Sequence, residues 1–174
     1  LRALAREYQR VRNEIDPHGD AARPDPWAPL VPIRPQGEGA PLFLVHPVGG
    51  NVLNYRHLAE AMPAGISIYG LQALGLDGRT EPLDAVEKMA QRYVSEIRSV
   101  QPHGPYHLAG GSMGGIIAFE MAQQLMAAGE TVAMLGLVDT SAEFGIRYRA
   151  HANSGLSGRV QRVLRRMEGQ ALGE

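Results

Sequence analysis

The sequence predicts an α/β domain: a mostly parallel sheet covered by helices on both faces. Three observations support this class. The strand candidates at 42–46, 66–71, 106–109 and 132–138 are largely solid apolar runs, the pattern of strands buried on both sides. Segments of helical periodicity separate them, as in a series of strand–helix–strand units. The run Tyr106-His107-Leu108-Ala109-Gly110-Gly111-Ser112-Met113-Gly114-Gly115 reads as a strand, a sharp turn and the start of a helix.

Residues 1–15 read as an amphipathic helix. Leu1, Leu4, Tyr8, Val11 and Ile15 recur at three- and four-residue steps with arginines on the other faces, and Pro17 ends the run. This helix is either a plain linker helix or the end of an upstream domain. From 16 to 41 the chain is rich in Pro, Gly, Asp and Arg, with prolines at 17, 24, 26, 29, 32, 35 and 41. That composition predicts a linker or a surface-hugging arm, which Trp27, Leu30, Val31 and Ile33 could pin to the domain. The folded core is read as 42–145. Its first strand runs into the turn Pro47-Val48-Gly49-Gly50, and Asn51 or Asn54 caps a helix reaching about Met62. A strand at 66–71 and a loop with Gly75, Asp77, Gly78 and Pro82 follow. Then comes a helix over about 83–100, whose apolar stripe is Val86, Met89, Ala90, Tyr93, Ile97 and Val100. Pro102, Gly104 and Pro105 break the chain before the third strand. After the sharp turn a helix carries Ile116, Ile117, Phe119, Met121 and Leu125 and closes at Gly129, and 132–138 is the fourth strand.

Composition narrows the function. A chain of 174 residues with 44% hydrophobic content suffices for one domain with a sizeable core. A formal net charge of -1 argues against a nucleic-acid binder. The absence of cysteine excludes disulfides, thiolate metal sites and a cysteine nucleophile. No apolar run approaches the roughly 18 residues of a membrane span, and no signal-peptide core is visible, so a cytoplasmic location is expected without membrane partners.

The chemistry gathers around Gly110-Gly111-Ser112-Met113-Gly114. A Gly-x-Ser-x-Gly spacing suits a nucleophile elbow, in which glycines on either side of a serine remove the clashes of a strained strand-to-helix turn. The turn exposes the Ser112 hydroxyl at a helix N-terminus, where the dipole favours negative charge. The bland alternative is a glycine-rich turn with an incidental serine. A serine nucleophile also needs a base, an orienting carboxylate and two oxyanion donors. Asp139 closes the fourth strand, the next strand after Ser112, at the end where ligand chemistry collects in parallel sheets; it is either that carboxylate or a loop cap. The backbone N–H of Met113 and of Val48 are the candidate oxyanion donors, and Gly49 and Gly50 allow close approach. His46 ends the first strand. It could serve as base, but the usual chain order places the base after the acid, so a role in shaping the loop is expected. His107 is read as a hydrogen-bonded core residue. His18, His57, His103 and His151 all lack the context of a base.

The stretch from about Leu42 to Thr140 resembles the thioesterase domains that terminate nonribosomal peptide and polyketide synthases. The matching elements are Phe43-Leu44-Val45-His46-Pro47-Val48-Gly49-Gly50, Tyr69-Gly70-Leu71-Gln72-Ala73, Met89-Ala90-Gln91-Arg92-Tyr93 and Pro102-His103-Gly104-Pro105-Tyr106. They continue through Gly110 to Ala122 and Leu137-Val138-Asp139-Thr140. The resemblance implies an α/β-hydrolase fold with a helical lid after the strand that ends in the acid. It implies Ser112 as nucleophile, Asp139 as triad acid, and Val48 and Met113 as oxyanion donors. It also implies an acyl or peptidyl thioester carried on the 4'-phosphopantetheine of a carrier domain, released by hydrolysis or macrocyclisation, with no directly bound cofactor or metal.

Two departures stand out. Gly111 occupies a position where such domains usually carry a bulky aromatic. The family's histidine follows the lid, whereas this chain stops at Glu174, inside a segment (146–174) read as the start of the lid. The expectation is therefore a domain truncated within the lid and inactive alone. On this reading 1–15 could be the end of the carrier domain and 16–41 the linker from it. The alternatives are a free-standing editing thioesterase or esterase, which a reading frame beginning near Leu1 would favour, and a non-catalytic docking domain of the same fold.

Overall fold

The computed structural model describes residues 25–141. The elements run β1 (Leu30–Arg34), β2 (Leu42–Val45), α1 (Tyr55–Ala61), β3 (Ile68–Leu71), α2 (Val86–Arg98), β4 (Tyr106–Gly111), α3 (Met113–Ala127) and β5 (Val132–Val138). They form one five-stranded sheet in the order β1-β3-β2-β4-β5. β2 is parallel to both β3 and β4, β4 is parallel to β5, and β1 lies antiparallel along the β3 edge. From β2 the chain steps outward to β3, then crosses back to β4 on the other side of β2. That reversal opens a crevice at the carboxyl ends of β2 and β4, where ligands bind in open α/β sheets.

Helices lie on both faces, as expected, but β5 departs from the expected burial: it is half-buried or exposed along its length, with Met134, Leu137 and Val138 open to solvent. α2 and α3 pack on one face, burying Tyr93, Ile97, Ile117, Met121 and Leu125 against Phe43, Val45, Leu71, Tyr106 and Leu108. On the other face Ala59 of α1 joins Leu42, Leu44 and Ile68. The four residues of β2 are all buried, because helices lie on both of its sides. α2 begins at Val86 and α3 directly after Ser112, so the helices differ from the sequence reading by a few residues at their starts. Asn54 precedes α1 without a side-chain cap; Asn51 instead accepts a hydrogen bond from Leu53 N at 3.3 Å.

The expected linker over 16–41 needs correction at its C-terminal part. Residues 30–34 are a fifth strand of the domain, not linker. β1 tolerates Pro32 because an edge strand has a free side on which a missing N–H breaks no ladder bond. Gln72 fastens the approach to it: its backbone N–H donates to Pro29 O at 2.8 Å, and its buried amide donates to Pro26 O and Ala28 O. Arg34 fastens the far end. Its guanidinium donates to the carbonyls of Ala59, Met62 and Pro63 and its Nε to Ile66 O, satisfying groups that the end of α1 leaves open. The expected helix at 1–15 and the expected lid at 146–174 lie outside the described residues. Among the described residues no helix is long and apolar enough to cross a membrane, and no cluster of His, Asp and Glu could hold a metal ion.

Candidate active site

Ser112 sits between β4 and α3 at φ 53, ψ -122, exposed to solvent. A non-glycine residue in such a conformation costs on the order of 1–3 kcal/mol and persists only where its surroundings hold it. Those surroundings are visible. Ser112 N donates to Val138 O at 2.9 Å, Gly115 N donates to Ser112 O at 3.1 Å, and the Thr140 hydroxyl lies 3.3 Å from Ser112 O. The glycines make room for the turn. A Cβ on Gly110 would overlap the backbone of Gly114 and lie 2.7 Å from Gly115 N, and one on Gly114 would run into the carbonyls of Val45 and His46. Gly115, outside the five-residue pattern, has a similar reason: a side chain there would overlap Thr140. Gly111 is different, since a Cβ there meets nothing closer than 3.8 Å.

Across the crevice, β2 ends in the Pro47–Gly50 turn. Gly50 closes it at φ 79, its N–H donating to Pro47 O and its carbonyl accepting from Ala73 N at 2.8 Å. Among the described residues the N–H groups of Val48 and Met113 have no hydrogen-bond partner. Both residues line a cavity of about 160 Å³, with His46, Leu83, Met89 and Tyr93. The Met113 N–H is also one of the unsatisfied donors at the start of α3, where the helix dipole favours negative charge.

His46 is not free to act as a base. It is 1% exposed, and both ring nitrogens are engaged. Nδ1 lies 2.7 Å from Pro47 O, which can only accept, so Nδ1 carries the proton; Nε2 then accepts from the Tyr93 hydroxyl at 2.7 Å. Burial holds its pKa below the ordinary histidine range, partly opposed by the Pro47 carbonyl. Burial likewise pushes the Tyr93 phenol up. The ring is thus a neutral strut at the Pro47–Gly50 turn; the sequence reading expected a role in shaping this loop, and the Pro47 contact agrees with it.

Asp139 follows Val138, which pairs with Gly111, so Ser112 and Asp139 leave neighbouring strand ends. Asp139 is exposed and adopts φ 48. Thr140 stabilises this corner by reaching both Val138 O and Ser112 O. Sequence reasoning missed Thr140 as a support; the signal was the fourth glycine of the run, Gly115. His103 lies beside Glu130 and His57 beside Glu60, and neither belongs to the serine site. His107 is half-buried on β4 without a side-chain hydrogen bond among the described residues, which corrects its reading as a hydrogen-bonded core residue.

The model of the thioesterase domain family matches residues 40–173. The chain belongs to that family. Among curated relatives, this thioesterase domain is 40% identical over 128 residues to malpibaldin synthetase of Mortierella alpina, covering 74% of the chain and 2% of that protein. It is 44% identical over 110 residues to a dimodular nonribosomal peptide synthase of Bacillus subtilis strain 168, covering 63% of the chain and 5% of that protein. The chain therefore spans a few per cent of the length of these synthetases. Among solved structures, it is similar to the NocB thioesterase domain in covalent complex with a fluorophosphonate nocardicin G analog. The TM-score is 0.60 at 35% identity, over 69% of this chain and 56% of that one. The α/β sheet with flanking helices is the architecture of these thioesterase domains.

Proposed function

We propose that this thioesterase domain releases an acyl or peptidyl group from the 4'-phosphopantetheine thioester of a carrier domain, through an acyl-enzyme on Ser112. The observation that carries the proposal is the strained, exposed Ser112 at the start of α3, followed by the open N–H of Met113, a residue that shares a cavity with Val48, whose N–H is also open. In this reading the Ser112 Oγ attacks the thioester carbon while a base takes its proton. The Val48 and Met113 N–H groups stabilise the oxyanion, the C–S bond breaks, and the proton passes to the departing thiolate sulfur. Water then yields a free acid, or an amine or hydroxyl within the chain yields a ring. Asp139 would hold the base in the needed tautomer. That base is a histidine outside the described residues, because His46 is occupied at both nitrogens. Without it acylation falls by orders of magnitude.

The test is covalent labelling with an alkyl fluorophosphonate, on protein that carries the base, followed by peptide mass spectrometry. The expected result is one adduct on Ser112, lost in Ser112→Ala and slowed in Asp139→Asn. Labelling elsewhere, or an undiminished rate in Asp139→Asn, refutes the assignment.

A further inference from the structure

The Tyr55 hydroxyl occupies the point where β2 and β4 part. The ladder between these strands runs from Leu42 opposite His107 to Val45 opposite Gly110 and stops there. Beyond it β2 becomes the turn that carries Val48, and β4 becomes the elbow that carries Ser112. The Tyr55 Oη lies 2.6 Å from Val45 O and 3.2 Å from Gly111 N. A carbonyl only accepts and an N–H only donates, so the phenol donates to Val45 and accepts from Gly111. One hydroxyl thus continues the ladder by a rung after the strands have separated. Burial raises the phenol above its ordinary range, so it keeps its proton at neutral pH. The ring is held in turn: it opens α1 and packs against the cluster of Leu42, Leu44, Ala59 and Ile68.

Gly111 leaves this contact unobstructed. A Cβ at that position would stand 3.8 Å from the Tyr55 hydroxyl and from Val138 O, ordinary contact distances. The Gly111 N–H is the last donor before Ser112, and Val45 O is the last β2 acceptor before His46. The hydroxyl therefore ties together the main chain immediately preceding each half of the candidate site.

We propose that Tyr55 is a positioning residue: its hydroxyl sets the separation between the turn bearing the Val48 N–H and the elbow bearing Ser112 and the Met113 N–H. It acts through the main chain and touches neither Ser112 nor substrate. The inference rests on the reading of Ser112 as nucleophile, and its consequence is kinetic, since a misplacement of about 1 Å in a reacting group can cost roughly a hundredfold in rate.

Tyr55→Phe keeps the ring and removes only the hydroxyl. Two readouts are taken on the variant and the wild-type protein: the kinetics of alkyl fluorophosphonate labelling at Ser112, and amide hydrogen exchange by NMR. The expected result is a maximal labelling rate lowered about 10- to 100-fold, with the half-saturating probe concentration changed less than about threefold. Exchange at Gly111 and Ser112 rises at least about tenfold, while Phe43 and Leu108 exchange as before. Unchanged labelling overturns the proposal, as does exchange that is unaltered or raised across the whole sheet. Wild-type protein that carries the base and takes no label at Ser112 defeats the proposed function instead. The exchange arm then still decides the clamp: acceleration confined to Gly111 and Ser112 sustains it, and any other pattern overturns it.

Discussion

Alanine placed at Gly110, Gly111 and Gly114 in turn should give opposite outcomes within one short turn. At Gly114 the new Cβ would lie 2.6 Å from His46 O, while real Cβ atoms essentially never come under 3.0 Å of such a neighbour. The start of α3 would have to retreat from β2 to open that gap, against main-chain atoms on both sides. At Gly110 the obstacle is the Gly114 carbonyl, also main chain. Overpacking of this kind costs about 1–3 kcal/mol. At the conversion usual for domains of this size, about 2–4 °C per kcal/mol, Tm should fall by roughly 2–12 °C. At Gly111 the nearest atoms are 3.8 Å away and the backbone is outside the left-handed region. Gly111→Ala should leave stability unchanged or raise it by up to about 1 kcal/mol, by restricting the unfolded chain. Denaturant unfolding of the three variants measures this, and fluorophosphonate labelling of Ser112 follows the site in parallel. Gly110→Ala and Gly114→Ala should also lose labelling; Gly111→Ala should retain it. If Gly111→Ala destabilises as much as Gly110→Ala, or Gly114→Ala is neutral, the steric account of the elbow is wrong.

The strain at Ser112 gives a second prediction. Ser112→Gly should be more stable than Ser112→Ala by about 1 kcal/mol, because glycine relieves the strained backbone while losing somewhat more chain entropy. Equal unfolding midpoints would mean that the turn holds little strain. A third concerns pH. The His46 pKa in the fold lies below its unfolded value near 6.5, so the unfolded chain binds more protons between the two. The contribution is present above pH 6.5 and is lost as pH falls toward the folded pKa. Denaturant midpoints should decline from about pH 7.5 to 5, and His46→Asn should flatten part of that decline; a slope unchanged by the substitution would count against the neutral strut.

The elbow was legible in the sequence because its demands are local. Gly110 and Gly114 answer to atoms within the same turn or at the end of an adjoining strand, and the pattern around Ser112 records that crowding directly. β2 was legible because burial on both faces removes polar residues from it, whereas β5 reads as equally apolar although much of it is exposed. β1 was not, because an edge strand carrying Pro32 and flanked by Pro29 and Pro35 shares its composition with a linker. What makes it a strand is pairing with Tyr69, Gly70 and Leu71, which the chain reaches only after β2 and α1. Tyr55 was hidden for a similar reason. In sequence it is a tyrosine near a helix start, and only the sheet brings it to Val45 and to Gly111, which lies far along the chain.

Ser112 is held through Val138 O and Thr140 by a strand end that the chain reaches only after the whole of α3, and Gly114 seats the same turn against β2, which precedes it. The serine therefore cannot reach its strained geometry while either neighbour is undocked. In a chain still folding, Ser112 is an ordinary hydroxyl with relaxed backbone angles, and it becomes the apex of the turn only when strands from both sides have closed on β4. The strained geometry of this residue is in that sense a late property of the fold, withheld until the central strands are in place.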